Sequence, residues 1–196
     1  MGYNKSVNII GIGGTDGSGK DTVGQLLAEK HGYLFLTVTD LLREEAKKRN
    51  LPMERQSYRQ ISAEWRRYHG MAVLIDYALQ KFKSLKEKYQ GLVVASLRHP
   101  AEADRIHRLG GEVVWVDADP RVRYDRITSR NRGTEDHITY EEFVAEEQAQ
   151  MQHSGDQATL NLSSVRAKTD IFLTNNGNDI EKFKDAAEKA LSGLLK

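Results

Sequence analysis

The stretch that decides the fold is Val7-Asn8-Ile9-Ile10-Gly11-Ile12-Gly13-Gly14-Thr15-Asp16-Gly17-Ser18-Gly19-Lys20-Asp21-Thr22. It opens with a short apolar run, Val7 to Ile12, which is typical of a buried strand. A glycine-rich segment follows, and from Lys20 onward the apolar residues recur at helical spacing. A strand, a glycine-rich turn and a helix in this order predict a phosphate-binding loop in an α/β domain.

The P-loop, or Walker A, pattern G-x-x-x-x-G-K is met by Gly14, Gly19 and Lys20. Glycines let backbone N–H groups converge on phosphate oxygens, and the following helix adds the positive end of its dipole. The lysine reaches the β- and γ-phosphates as a point charge. We therefore predict a nucleotide site formed by Gly14, Asp16, Gly17, Ser18, Gly19, Lys20, Asp21 and Thr22.

Two acidic residues set this loop apart from the common pattern. Asp21 stands where Ser or Thr usually holds Mg²⁺, and the hydroxyl follows one residue later, at Thr22. Asp21 either holds magnesium through water or is an ordinary acidic residue at a helix start. Asp16 lies beside the phosphates, where a carboxylate is repelled unless it meets Mg²⁺, an arginine or a substrate hydroxyl. We expect a functional role for Asp16.

Composition excludes several classes of function. The 196 residues are 39% hydrophobic and 29% charged, as in a globular protein of one domain. The chain has no cysteine, which excludes disulfides and thiolate metal sites. Its 29 basic and 28 acidic residues give a net charge of +1, too small to attract nucleic acid or acidic membranes. We expect a cytoplasmic monomer or homodimer with no nucleic-acid or membrane partner.

Apolar runs alternate with helical patterns along the whole chain. Strands are predicted at residues 7–12, 33–38, 91–97, 112–116 and 169–174. This alternation predicts an α/β fold, a five-stranded parallel sheet with helices on both faces, with candidate insertions at 40–90 and 130–165. Helix starts are predicted from a capping box at Thr139–Glu142 and from Asn178 with Glu181 before the last helix.

With these motifs the chain resembles the nucleoside and nucleotide kinase group of P-loop proteins, most of all the adenylate-kinase-related family of archaea. The loop is also similar to thymidylate kinases at Asp16–Lys20 and to deoxynucleotide monophosphate kinases at Gly19–Thr22. The resemblance implies a nucleotide-kinase type of P-loop NTPase fold over residues 1–196, with an acceptor-binding insertion at about 40–90 and a lid at about 121–165. It implies ATP and Mg²⁺ as cofactors and a small phosphorylated acceptor, a nucleotide.

The segment Thr37 to Arg43 resembles the part of these kinases that faces the acceptor. By this resemblance Arg43 would hold the acceptor phosphate, and Asp40 would organise magnesium-bound water. A planar guanidinium suits that role because it pairs with phosphate oxygens in a bidentate manner. The alternative for Arg43 is a solvated charge. Arg98 falls where the family places a second acceptor-phosphate arginine.

The third strand departs from the family pattern, because Ala95 occupies the usual aspartate position. The substitution removes a carboxylate that would anchor hydrated Mg²⁺ near the phosphates. Either Asp16, Asp21 or Asp40 compensates, or catalysis is weak.

The helix after the fourth strand carries Arg126 and Arg130, which are four residues apart and share a helix face. The resemblance implies that one stacks on adenine and the other reaches the transferring phosphates. An exposed basic helix, balanced by the acidic segment 135–147, is the alternative. The stretch Thr134 to Gln152 resembles the acidic helix after the lid, which we interpret as structural.

Two weaker signals remain. Asn176 and Gly177 resemble the loop whose backbone contacts the adenine edge, although a simple turn explains them equally well. Trp65, Arg66, Tyr68 and His69 either sandwich a base or pack against the sheet.

Three functions are compatible with these signals. The first is an ATP- and Mg²⁺-dependent kinase acting on a nucleoside or deoxynucleoside monophosphate, with Lys20, Arg98, Arg126 and Arg130 in catalysis. The second is a dephospho-coenzyme A kinase, which shares the loop, the sheet and the Asn-Gly turn. The third is an ATP-binding regulatory module of low turnover, which Ala95 and Asp21 favour.

Overall fold

A parallel sheet lies at the centre of the computed structural model, which describes residues 8–130, 138–151 and 156–195. Within these residues the sheet has five strands in the order β2-β3-β1-β4-β5. The strands are β1 (Ile9–Gly14), β2 (Tyr33–Thr37), β3 (Gly91–Leu97), β4 (Glu112–Asp117) and β5 (Ile171–Thr174). The predicted α/β fold with a five-stranded parallel sheet is confirmed.

Helices connect the strands and cover both faces of the sheet. They are α1 (Lys20–His31), α2 (Val38–Lys48), α3 (Arg55–His69), α4 (Val73–Leu85), α5 (Pro100–Arg108), α6 (Pro120–Arg130), α7 (Tyr140–Met151), α8 (Leu162–Arg166) and α9 (Ile180–Leu191). None of them is long and apolar enough to cross a membrane, among the residues whose placement is described.

Both faces of the central strands are buried, which explains why these strands read as continuous apolar runs. In β3, Val93 and Ala95 belong to the core shared with α1 and α9. Leu92 and Val94, on the opposite face, belong to the larger core shared with α2, α4 and α5. Because every strand is parallel, their carboxyl ends meet at one edge of the sheet, where the loops that follow β1, β3, β4 and β5 come together.

Helix starts were predicted correctly at one position and wrongly at another. At α7, the Thr139 backbone N–H donates to Glu142 Oε2 at 2.8 Å, and Glu142 N–H donates to Thr139 Oγ1 at 3.2 Å, so the capping box is confirmed. At α9, the cap is Asp179 and not Asn178, because Asp179 Oδ1 accepts the N–H groups of Glu181 and Lys182. An N-cap must directly precede the first helical residue, which here is Ile180.

Candidate functional site

The phosphate loop joins β1 to α1 and runs from Gly14 to Lys20. Gly14 and Gly17 have φ angles of 150° and 80°, which residues with a side chain rarely adopt. A Cβ at Gly14 would lie 2.3 Å from the carbonyl oxygen of Val116, and one at Gly17 would lie 2.7 Å from that of Arg123. The loop packs so closely against β4 and α6 that only glycine fits at both positions.

The end of the loop provides donors for an anion. Gly19 is the N-cap of α1, so the first backbone N–H groups of that helix have no partner inside the helix. The Ser18 hydroxyl is buried and makes no hydrogen bond within the described part of the chain. A helix start and a buried hydroxyl of this kind suit phosphate oxygens.

Lys20 and Asp16 form the charged centre of the loop. Lys20 is buried, and its Nζ lies 3.4 Å from the carbonyl oxygen of Thr15 and 3.6 Å from Asp16 Oδ1. Asp16 Oδ1 also accepts from Arg98 Nη2 at 2.7 Å, and Arg55 Nη2 lies 4.0 Å from Asp16 Oδ2. Burial alone would raise the pKa of the Asp16 carboxyl, but Arg98, Lys20 and Arg55 outweigh it and hold that pKa well below its usual range. Asp16 is therefore ionised at neutral pH.

Arg98 follows β3, and the buried Glu102 carboxylate holds its backbone in place. Glu102 Oε2 accepts the backbone N–H groups of Arg98 at 2.8 Å and of His99 at 3.1 Å. Glu102 is fully buried and is paired in turn with buried Arg66, whose Nη2 lies 2.8 Å from Glu102 Oε1. This buried ion pair fixes the backbone that carries Arg98, since an unpaired charge there would be very costly.

The four residues of α3 that either sandwich a base or pack against the sheet differ in their burial. Arg66 is buried in the pair with Glu102, and Trp65 packs edge-to-face on Tyr77 with ring centroids 4.8 Å apart. Tyr68 is 79% exposed. Trp65, Tyr68 and His69 share one face of α3 by their spacing, but Arg66 is buried in its pair with Glu102 and does not join them. Packing is the correct interpretation for Trp65 and Arg66.

Arg126 of α6 connects the phosphate loop to the loop after β5. Its Nη1 donates to the Gly17 carbonyl at 3.3 Å, and its Nη2 donates to the Gly177 carbonyl at 2.6 Å. Asn175 completes the link, since its Nδ2 donates to the Ser18 carbonyl at 2.9 Å. The structure thus brings Arg126 and Gly177 to the same side of the phosphate loop.

Asn176 and Arg130 are the other two residues predicted on this side of the phosphate loop. Asn176 Oδ1 accepts the backbone N–H of Asp119 at 2.7 Å, so this side chain braces the loop after β4. Arg130 is the last residue of α6, and its side chain lies outside the described residues.

Arg123, one turn before Arg126, is a site residue that the sequence analysis missed. Its side chain is buried, with Nε donating to the Ala118 carbonyl at 2.7 Å and Nη2 donating to Glu147 Oε1 at 2.9 Å. Its Nη1 lies 3.5 Å from the Asp16 carbonyl oxygen. Arg123 therefore supports the loop from behind. The only available signal was one more arginine on an arginine-rich helix, which does not distinguish buried from exposed positions.

Asp117, at the end of β4, was also missed. Its Oδ1 accepts from the Thr15 hydroxyl at 2.8 Å and from the Ala118 N–H at 2.9 Å. A carboxylate that directly follows a buried parallel strand lies at the edge where ligands bind, and this position was the signal that could have identified it.

The carboxyl end of β3 has no carboxylate at the position where the family resemblance implies one. Ala95 is buried in the core beside α1. The pairing of β1 with β3 then shifts register, and Ser96 adopts a left-handed φ of 68°, which is uncommon outside glycine. Acidic groups reach this edge from neighbouring elements instead, from Asp16 in the loop and Asp117 on β4.

The residues predicted to hold magnesium lie on two helix starts. Asp21 is exposed in the first turn of α1, directly after Lys20, and Thr22 is half-buried. Asp40 Oδ2 accepts from the Thr37 hydroxyl at 2.7 Å, which closes the cap of α2. Within residues 8–130, 138–151 and 156–195, no three His, Cys, Asp or Glu side chains are gathered to hold a metal. The exposed Asp21 carboxylate beside the loop fits a Mg²⁺ ion that keeps most of its water ligands and is bound mainly by phosphates.

Arg43 pairs with Asp40 at 3.2 Å, and both side chains are about half exposed. The structure therefore places the two predicted acceptor residues of α2 together. It does not bring them into contact with Asp16 or Arg98 within the described part of the chain.

Helix α7 lies over the phosphate loop. From the sequence, this acidic stretch was interpreted as structural. Glu147 pairs with Arg123, Glu146 Oε2 accepts from Arg55 Nη1 at 3.0 Å, and Gln150 accepts from Arg98. The cavity left between α7 and the loop measures only about 10 Å³. Arg55, Arg98 and Arg123 are therefore each paired with a side-chain oxygen of α7. Residues 134–137 and 152 of the predicted stretch lie outside the described residues.

Sequence comparison identifies relatives along the whole chain. The AAA domain family matches residues 10–150. A UPF0200 protein of Hyperthermus butylicus is 30% identical over 187 residues, covering 95% of this chain and 94% of the relative. A UPF0200 protein of Pyrococcus abyssi is 27% identical over 191 residues, covering 95% of this chain and 97% of the relative.

Solved structures share the fold at lower sequence identity. TT1252 from Thermus thermophilus is 22% identical with a TM-score of 0.61, covering 98% of this chain and 100% of its own. A shikimate kinase from Bacteroides thetaiotaomicron is 14% identical with a TM-score of 0.56, covering 94% of this chain and 98% of its own. The fold is thus that of P-loop kinases. The matches together show that the chain belongs to the UPF0200 family and carries an AAA domain over most of its length.

Proposed function

We propose that this protein is an ATP- and Mg²⁺-dependent phosphotransferase that moves the γ-phosphoryl of ATP to a nucleoside or deoxynucleoside monophosphate. The observation that carries the proposal is the convergence of Lys20 and Arg98 on Asp16, within the phosphate loop. A lysine for the donor phosphates and an arginine for an anionic acceptor meet at one carboxylate. The kinase fold and the resemblance to nucleotide kinases support the same chemistry.

The donor nucleotide would occupy the loop from Gly14 to Thr22. Backbone N–H groups at the start of α1 and the Lys20 ammonium would bind its phosphates. Arg126 already contacts the Gly177 carbonyl at 2.6 Å, so the adenine would lie beside these two residues. Arg130, one turn later on α6, is proposed to reach the transferring phosphates.

Magnesium would supply charge neutralisation between the donor phosphates. Asp21 would hold it through water, since its exposed carboxylate follows Lys20 directly. Asp40 is proposed as the second carboxylate, because it lies at the start of α2 on the acceptor side of the sheet.

Phosphoryl transfer requires positioning and charge neutralisation more than a general base. Asp16 fits this requirement, because its depressed pKa keeps it ionised and unable to carry a proton at neutral pH. Its role is to orient Lys20 and Arg98 toward the two phosphates. Arg43 would join Arg98 at the acceptor phosphate by swinging away from Asp40.

Two observations favour a second function, an ATP-binding module of low turnover. Ala95 supplies no carboxylate at the end of β3, and α7 leaves a cavity of only about 10 Å³ over the loop. Such a module would bind ATP with no requirement for an acceptor.

The test is ADP release from MgATP in the presence of each nucleoside monophosphate, its deoxy form, or dephospho-coenzyme A. The proposal predicts that one monophosphate stimulates ADP release. It also predicts that the stimulated rate falls about 100-fold or more in Lys20→Met, because this variant lacks the ammonium that would stabilise the charge of the transition state. Lys30→Met is the matched control, because Lys30 is an exposed residue at the other end of α1. Stimulation by dephospho-coenzyme A alone would identify the alternative kinase. ATP binding without stimulation by any acceptor would favour the module.

A further inference from the structure

Arg55 is a charged residue of the site for which neither the loop motif nor the family resemblance predicts a role. It is the first residue of α3, and its side chain is only partly exposed. Its Nη1 donates to Glu146 Oε2 at 3.0 Å, and its Nη2 lies 4.0 Å from Asp16 Oδ2. One end of the guanidinium therefore faces the phosphate loop and the other faces α7.

Arg98 repeats this arrangement from a different element. Its Nη2 donates to Asp16 Oδ1 at 2.7 Å, and its Nη1 donates to the side-chain oxygen of Gln150. Each guanidinium thus places one nitrogen near Asp16 and the other on an oxygen of α7. Glu146 and Gln150 are one helical turn apart, so their oxygens lie on the same face of α7.

The positive charge of Arg55 and Arg98 accounts for their contacts with the side-chain oxygens of α7. Two guanidinium groups that share one carboxylate leave a net positive charge, which a second anion offsets. In this conformation the Glu146 carboxylate pairs with Arg55 and offsets part of that charge, and its side chain is 46% exposed. An exposed carboxylate is readily exchanged for another anion, because water can take it up at little cost. A phosphate offers several oxygens to two planar donor groups, which is the geometry that guanidinium groups bind best.

We infer that Arg55 and Arg98 together form the subsite for the acceptor's anionic group, and that Glu146 and Gln150 occupy it in this conformation. The inference rests on the proposed phosphotransferase function and adds Arg55 to its acceptor site. Rotation of the Glu146 and Gln150 side chains would remove these two contacts, while Asp16 keeps both guanidinium groups oriented.

The kinetic test compares Arg55→Ala with Arg59→Ala. Arg59 is exposed on the same helix, one turn later, and serves as the matched control. Removing a charge-assisted hydrogen bond to the acceptor predicts a KM for the acceptor that rises about 10- to 100-fold in Arg55→Ala, with the KM for ATP unchanged. Arg55→Lys restores part of the loss, because it keeps the charge without the planar fork. Equal acceptor KM values in Arg55→Ala and Arg59→Ala would overturn the inference.

A binding test separates this inference from the proposed function, because it needs no turnover. Orthophosphate is titrated calorimetrically into a Lys20→Ala background, which weakens binding at the phosphate loop itself. The subsite predicts phosphate binding that is lost on adding Arg55→Ala, retained on adding Arg59→Ala, and about 3- to 10-fold tighter on adding Glu146→Gln, which removes the competing charge.

The outcomes are distinct. Phosphate binding that depends on Arg55, in a protein that phosphorylates no acceptor, would support the subsite and contradict the proposed function. Phosphate binding that is the same with and without Arg55 would overturn the subsite, even if an acceptor is phosphorylated.

Discussion

Asp16 is the residue on which three cationic side chains converge, and its charge has a consequence for stability. Its pKa lies well below the ordinary value of 3.8, because Arg98, Lys20 and Arg55 outweigh its burial. A folded-state pKa that is depressed stabilises the folded protein above the unfolded-state pKa and loses this effect as the pH falls. We therefore expect Asp16→Asn to lower the free energy of unfolding at neutral pH by about 1–3 kcal/mol.

The measurement is urea unfolding of the wild type and of Asp16→Asn between neutral pH and about pH 2. The difference between the two proteins should be largest at neutral pH and should shrink as the pH falls below about 4. A difference that stays constant over this range would show that Asp16 is not held ionised by its three partners. Asp21→Asn is the control, since Asp21 is exposed on the first turn of α1.

At the scale of elements, the buried pair of Arg66 and Glu102 ties α3 to α5 beneath Arg98. Arg66→Met leaves Glu102 as an uncompensated buried charge and is expected to cost about 3–5 kcal/mol of unfolding free energy. Arg67→Met, at the next position, removes an exposed pair with Asp156 and should cost about 1 kcal/mol or less. Similar losses in both variants, measured by urea unfolding, would contradict the structural role assigned to Arg66.

Local patterns predicted most of the elements, because strand and helix periods are properties of neighbouring residues. The capping box at Thr139 was readable for this reason, since both of its partners lie within one turn. The α9 cap was assigned one residue early because Asn178 and Asp179 are both good caps, and only the backbone conformation distinguishes them. The packing interpretation holds for Arg66, whose partner Glu102 is 36 residues away in the sequence, so the sequence alone left a base-binding role open.

At the scale of the whole molecule, the site is an assembly of loops from one edge of the sheet. The placement of the phosphate loop between a strand and a helix could be predicted because its residues are contiguous. A family resemblance led us to expect Arg98 and Arg126 beside it, where the structure has them, and their roles stay predictions. Arg55, Arg123 and Glu147 could not be predicted, since each acquires its contacts only when distant elements pack together. The contacts of the acidic helix α7 with the arginines near the loop were missed for the same reason. Asp117 could have been identified, because it ends a buried parallel strand.

The central claim is that this site transfers a phosphoryl group between two bound phosphates, and the most direct measurement follows that group. ATP labelled at its γ-phosphorus is incubated with Mg²⁺, the protein and the acceptor that stimulates ADP release. We expect the label to appear on the acceptor, with a rate that falls about 100-fold or more in Lys20→Met. Label that appears only in inorganic phosphate, or transfer that is unchanged in Lys20→Met, would contradict the claim.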